Sequence, residues 1–189
     1  MTAYPDAQTQ APSFNKAWRS LANSRFWALT LLAIGTASNS IYAHAPLAAF
    51  ATVSGVTLSR QRAIAIAVLI WLVNQVIGFG LRGYPLTVVA FTWGALMGLG
   101  TLLVTVGASW RPAFSRSTGA GHFGWMAIAT LGGFVLYQGI IMLALPGLTE
   151  GHSMGWDIVG RLFLQQLTWV GAIALGHGLL LWRMLAATH

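Results

Sequence analysis

The sequence predicts an all-α integral membrane protein with six transmembrane helices and both termini in the cytoplasm. Three observations carry that prediction. Of 189 residues, 56% are hydrophobic and only 7% charged, against about 25% charged in an average soluble domain. That is too little charge to coat a water-soluble globule. Apolar stretches recur at 26–40, 43–58, 63–81, 85–108, 123–146 and 158–182. Nowhere does polar–apolar alternation last the roughly 9–11 residues of a barrel strand. Threaded as six spans from a cytoplasmic N-terminus, the chain keeps Lys16, Arg19, Arg25, Arg60, Arg62, Arg111, Arg116 and Arg183 inside and only Arg82 and Arg161 outside. Such a cation bias marks cytoplasmic loops.

The elements follow in order. Residues 1–25, with Pro5, Pro12, Lys16, Arg19 and Arg25, read as a polar cytoplasmic tail, disordered or interfacial. Residues 26–185 form the membrane domain. The first two stretches are short, and Ser38, Asn39, Ser40 and Tyr42 lie between them. They read as a helical pair joined by a tight outer turn. Fusing them into one span would put Arg60 and Arg62 outside. A secretory signal ending at Ala43-His44-Ala45 is the alternative, but Pro46 directly after it disfavours cleavage. The other four stretches are each long enough to cross ~30 Å of hydrocarbon as helices.

Composition removes several function classes. There is no Cys, so thiolate metal sites, disulfides and a cysteine nucleophile go. The three acids, Asp6, Glu150 and Asp157, do not make a paired-carboxylate hydrolase. The only lysine, Lys16, follows no Gly-rich phosphate loop, so the chain is not its own ATPase by that route. The net charge of +7 belongs to membrane-flanking loops rather than to a nucleic-acid surface. Thr52-Val-Ser54-Gly55 with His177 loosely resembles an intramembrane serine protease, yet Thr52 stands where that motif has its first Gly. No enzyme and no cofactor of its own are expected.

The polar residues gather at the outer side. Asn39, Tyr42 and His44 end the first helix pair, and Asn74 and Gln75 lie in the outer half of the third span. Arg82 and Tyr84 are in the next outer loop, with Trp93 a few turns into the fourth span. Tyr137 and Gln138 lie in the outer half of the fifth span, and Arg161, Gln165 and Gln166 open the sixth. Polar groups in a membrane usually face a cavity or a partner helix. Helix-to-helix hydrogen bonding accounts for any one of them; the cluster points to an outward pocket. Its amides, hydroxyls and indoles suit a large, mostly neutral ligand rich in amides. Asp157 lies four residues before Arg161, so Arg161 reads equally as half of an interfacial ion pair or as a donor to a ligand carbonyl or phosphate. Small residues recur four apart at Ala33–Ala37 and Gly94–Gly98, a spacing that permits close helix approach, either internally or to a partner. No carboxylate sits inside a span, so uphill transport would draw its energy from another subunit.

These features together resemble the S components of energy-coupling-factor (ECF) transporters, the substrate-binding subunits of vitamin importers. The segment Asn74-Gln75-Val-Ile-Gly78-Phe79-Gly80-Leu-Arg82-Gly-Tyr84-Pro85, with Trp93-Gly94 after it, is similar to the BtuM-like group, which serves cobalamin. The resemblance implies an S-component-like bundle in the bacterial inner membrane. It implies Ala33 and Ala37 as the face that docks on the ECF T subunit, and two ATPase subunits as further partners. It implies cobalamin or another corrinoid as transported ligand, under the loop 78–85, with Tyr84 over the ring. Asn74, Gln75, Gln138 and Gln165 would meet its amide arms. Members of that group carry a Cys in this loop that ligates the cobalt; Gly80 stands at or near that place. Either the corrinoid binds without a thiolate, or His44 or His152 takes the cobalt, or the ligand differs, or Gly80 is an engineered replacement. His44 is the first candidate ligand of the cobalt, since neutral imidazole suits a transition metal. An S component for another vitamin, such as riboflavin or biotin, and a structural membrane subunit without transport stand as alternatives.

Overall fold

The computed structural model describes residues 14–42, 45–149 and 155–187. Among them the chain is helical throughout, with no strand. The elements are α1 (Phe14–Ala22), α2 (Arg25–Ile41), α3 (Leu47–Thr57), α4 (Arg60–Val76), α5 (Val88–Ala108), α6 (Phe114–Ser117), α7 (Gly119–Leu148) and α8 (Trp156–Ala186). A π-helical turn, Ile77–Leu81, prolongs α4. Among the described residues, four helices are long and apolar enough to cross a membrane: Arg60–Leu81, α5, α7 and α8. Side chains cap several starts. Ser24, Thr87 and Thr118 accept hydrogen bonds from the backbone N–H groups of Trp27, Ala90 and Gly121, satisfying donors that a helix start leaves free.

The six major helices run alternately up and down. Trp27 Nε1 at the start of α2 donates to Thr57 Oγ1 at the end of α3 (2.9 Å). Trp71 Nε1 near the end of α4 donates to the Gly94 carbonyl near the start of α5 (2.9 Å). Trp125 Nε1 at the start of α7 donates to the Ala108 carbonyl at the end of α5 (2.9 Å). The start of α2, the end of α3, the start of α4, the end of α5 and the start of α7 therefore share one end of the bundle. That end carries Arg19, Arg25, Arg60, Arg62, Arg111 and Arg116; Arg82, Asp157 and Arg161 lie at the other.

α3 is the axis of the fold. All eleven of its residues are buried, and it packs against α4, α5, α7 and α8. Its crossing with α5 is close enough that a Cβ on Gly55 would come 2.6 Å from the Thr105 carbonyl oxygen. At eleven residues it is only about 16 Å long, roughly half the hydrocarbon thickness. Hydropathy predicts a sixth span of 43–58, but this helix is enclosed by protein.

The described part of the tail is helical rather than disordered. This second half forms α1, whose Ala17 and Leu21 are buried beneath the cation-rich end. Trp18 Nε1 donates to the Val56 carbonyl (3.3 Å), and the Arg111 guanidinium lies 3.3 Å above the Trp18 ring. Phe14, Ala17, Trp18 and Leu21 share one face at helical spacing. Arg111 adopts φ +42, a conformation costly for a residue with a side chain. Burial, then the charges of Arg116 and Arg19, lower its pKa to about 10, so it stays charged at neutral pH. Residues 1–13 lie outside the described residues.

Candidate functional site

A cavity of ≈ 450 Å³ occupies the cation-poor half of the bundle. Pro46, Leu47 and Ala48, the first turn of α3, line it, and so do residues of α4, α5, α7, α8 and the 78–85 segment. It lies where α3 has not yet begun: the longer α4, α5, α7 and α8 continue past a half-length core helix and, with the 78–85 segment, enclose the space above it.

Seven of the thirteen sequence-selected residues line this cavity: Asn74, Gln75, Tyr84, Trp93, Tyr137, Gln138 and Gln165. Two aromatic rings, Tyr137 in the wall and Trp71 outside its lining, lie against glycines of α5. A Cβ on Gly100 would lie 2.8 Å from the Tyr137 ring, and one on Gly98 2.7 Å from the Trp71 indole. Gly94 is likewise filled by the Gln75 carboxamide. The Gly94–Gly98 face thus serves internal packing of α4 on α5, not an external partner.

Gln75 and Asn74 belong to a chain of amides. Gln75 Nε2 donates to Asn74 Oδ1 (3.1 Å), Asn74 Nδ2 to Asn39 Oδ1 (3.2 Å), and Asn39 Nδ2 to the Ile70 carbonyl (3.5 Å). Asn39 is fully buried behind the wall and braces it. Arg82 does not line the cavity. Its Nη2 donates to the Tyr42 carbonyl (2.7 Å) and to that of Asn39, closing the C-terminal carbonyls of α2 as basic side chains do. Tyr42 packs edge-on to Trp169, centroids 6.3 Å apart. Gly80 is exposed and away from the cavity, and Gly78 lines it instead. Arg161 is exposed and pairs with Asp157 at 2.6 Å, the ion-pair alternative. His44, Glu150 and His152 lie outside the described residues.

The loop after the π turn covers one side. The Tyr84 N–H donates to the Gly78 carbonyl (3.0 Å). A Cβ on Gly78 would meet the Tyr84 ring at 2.8 Å, so glycine lets the ring lie flat on the backbone. Gly83 turns the chain with φ +65, a conformation natural to glycine.

Gln166, Phe134, Met97 and Ile141 are among the lining residues outside the thirteen. Gln166 Nε2 donates to the Thr130 carbonyl (3.1 Å), joining α8 to α7. Gln166 already belongs to the outer polar cluster read from the sequence, beside Gln165; the apolar three look like any membrane-helix residue.

On α2, Ala33 and Ala37 are exposed between Phe26 and Leu29 on one side and Ile41 on the other. Ser54 and His177 are both fully buried, and no hydrogen bond joins them among the described residues. No cluster of three or more metal-ligating side chains occurs among the described residues. No protein-family model, curated protein or solved structure matches the chain.

Proposed function

We propose that the chain is the ligand-binding membrane subunit of an ECF-type vitamin importer, with cobalamin or a related corrinoid as first candidate ligand. The cavity wall supports this most. It offers carboxamides, a phenol pair and an indole, and no acid or arginine among its described lining residues. That set matches a neutral, amide-bearing molecule. The volume lies within the range of about 300–1,000 Å³ usual for small-molecule sites.

A whole corrinoid exceeds ≈ 450 Å³, so it would seat one face in the cavity and displace the Tyr84 loop. A vitamin of riboflavin or biotin size fits without that movement, and the volume favours it as the second reading. In both cases the cation-rich end faces the cytoplasm of a bacterial inner membrane. The chain then passes six times, its second pass made by the segment that ends in the enclosed α3, and both ends of the chain are inside. Separate ATPase subunits supply energy, and a T subunit meets the Ala33–Ala37 face of α2.

The test is co-elution of purified protein with cyanocobalamin, read by visible absorbance, and with riboflavin, read by fluorescence. Binding of the first and not the second is expected. Riboflavin alone would move the assignment to the second reading, and neither would remove the vitamin-binding role. With binding in hand, Ala33→Leu/Ala37→Leu should abolish uptake in cells and leave co-elution unchanged. Loss of both together would assign that face to folding.

A further inference from the structure

A second cleft, of ≈ 300 Å³, lies between α2 and α4 at the cation-rich end. It is independent of the vitamin-binding reading. Its lining is Arg25, Ala28 and Leu29 from α2 and Arg62, Ala65 and Ile66 from α4. Each helix contributes the same order: an arginine, then an alanine three residues on and a large aliphatic four residues on. That spacing puts all three on one helix face. α2 and α4 run in the same direction, so the two arginines stand at one level. The apolar floor begins about 4.5–6 Å further along both axes.

We propose that this cleft binds one anionic phospholipid, its phosphodiester between Arg25 and Arg62 and an acyl chain along Ala28, Leu29, Ala65 and Ile66. The charge step along the cleft is the charge step along such a lipid. The alanines leave room between the helices, while Phe26 and Leu29 stay exposed beside it, at 67% and 61%. Neither arginine has an ion-pair partner among the described residues. The only ion pair among the described residues is Arg161–Asp157, at the opposite end. Arg62 Nη1 donates to the Asn23 carbonyl, which holds its guanidinium at the cleft; its other N–H groups have no partner among the described residues. A guanidinium fork accepts phosphate oxygens in pairs. A soluble anion would make no use of the apolar floor, and a zwitterionic lipid would bring its own cation to the same two arginines.

Native mass spectrometry of the full chain, released from nanodiscs of equal palmitoyl-oleoyl phosphatidylglycerol and phosphatidylcholine, tests this. The wild type should retain one phosphatidylglycerol in preference to phosphatidylcholine. Arg25→Gln/Arg62→Gln should reduce that preference on the order of ten-fold, and Arg116→Gln, outside the cleft, should leave it unchanged. Arg25 is exposed and has no hydrogen bond among the described residues, so Arg25→Gln alone keeps the fold and should give a partial loss. Ala65→Leu keeps both charges, fills the floor, and should also release the lipid. Retention unchanged in the double variant would overturn the site. So would full retention in Ala65→Leu, or displacement of the lipid by millimolar inorganic phosphate, since either makes the acyl chain irrelevant.

Discussion

The two halves of this bundle share their long helices and differ in whether α3 stands among them. In the cation-rich half α3 is present, every one of its residues is buried, and α1 closes the base. Helix contact there is limited by backbone: Gly55 on α3 meets the Thr105 carbonyl and the Ala108 methyl of α5. In the other half α3 is absent, and the remaining helices keep their spacing around ≈ 450 Å³ of space. The comparison teaches that the cavity is not carved by special residues. It is the consequence of one core helix being half as long as its neighbours, with amides and aromatic rings placed on the walls left bare. Packing density decides the first half, and hydrogen-bonding chemistry decides the second.

The sharpest way to break that contrast is a matched pair of glycine substitutions. Gly55→Leu should be strongly damaging. Its Cβ alone would stand 2.6 Å from a carbonyl oxygen and 2.7 Å from the Ala108 Cβ, and backbone cannot yield as a side chain can. Overpacking of this kind costs about 1–3 kcal/mol and sometimes more. Thermal unfolding in detergent should show a much lower midpoint or no folded protein. Gly80→Leu, with nothing within 4 Å of its Cβ, should stay within about 0.5 kcal/mol of wild type. Equal effects at both sites would mean that the two halves are packed alike.

A second substitution acts on the open half alone. Ala90 lines the cavity from α5, and Ala90→Phe places a ring in the space proposed for the ligand. Binding should fall at least ten-fold, the loss expected when a ligand forfeits about 1.4 kcal/mol or more. The unfolding midpoint should change little, because the ring enters a void rather than a contact. A midpoint lowered as far as that of Gly55→Leu would show that the wall is as tightly specified as the core.

Much of this was legible in the sequence, and the gaps have physical causes. The boundaries of the four long helices follow from apolar runs that must satisfy their backbone internally. The sided cations, Arg60 and Arg62 against Arg82 and Arg161, foreshadow a bundle with one basic end. The gathering of Asn74, Gln75, Tyr84, Trp93, Tyr137, Gln138 and Gln165 at the other end was visible as an asymmetry of polar residues. Hydropathy does not distinguish a helix surrounded by lipid from one surrounded by protein, so the fully enclosed α3 looks like a span. The amphipathic face of α1 is hidden in a tail whose average is polar. Arg82 and Asn39 look like ligand donors because sequence does not show that carbonyls at the end of α2 and amides behind the wall already use them. For Gly94 and Gly98, spacing announces close approach but not to which neighbour.

The smallest expected effect is the cleanest test of what the closed half costs. Thr52, on α3, is fully buried, and its hydroxyl has no hydrogen-bond partner among the described residues. A buried hydroxyl without a partner forfeits its hydrogen bonds to water and gains nothing in return. Thr105, on the facing α5, is equally buried, but its Oγ1 donates to the Thr101 carbonyl at 2.8 Å. Valine has the shape of threonine without the hydroxyl, so the same replacement removes an unmet group at one site and a met one at the other. Thr52→Val should raise stability by about 1 kcal/mol, and Thr105→Val should lower it by about 0.5–1.5 kcal/mol. Reversible denaturation in detergent with both single variants reads the difference directly, and helix crossing at Gly55 should be unaffected in either. A loss of stability in Thr52→Val would mean that its hydroxyl is satisfied in solution, and the closed half would then be wetter than its packing implies.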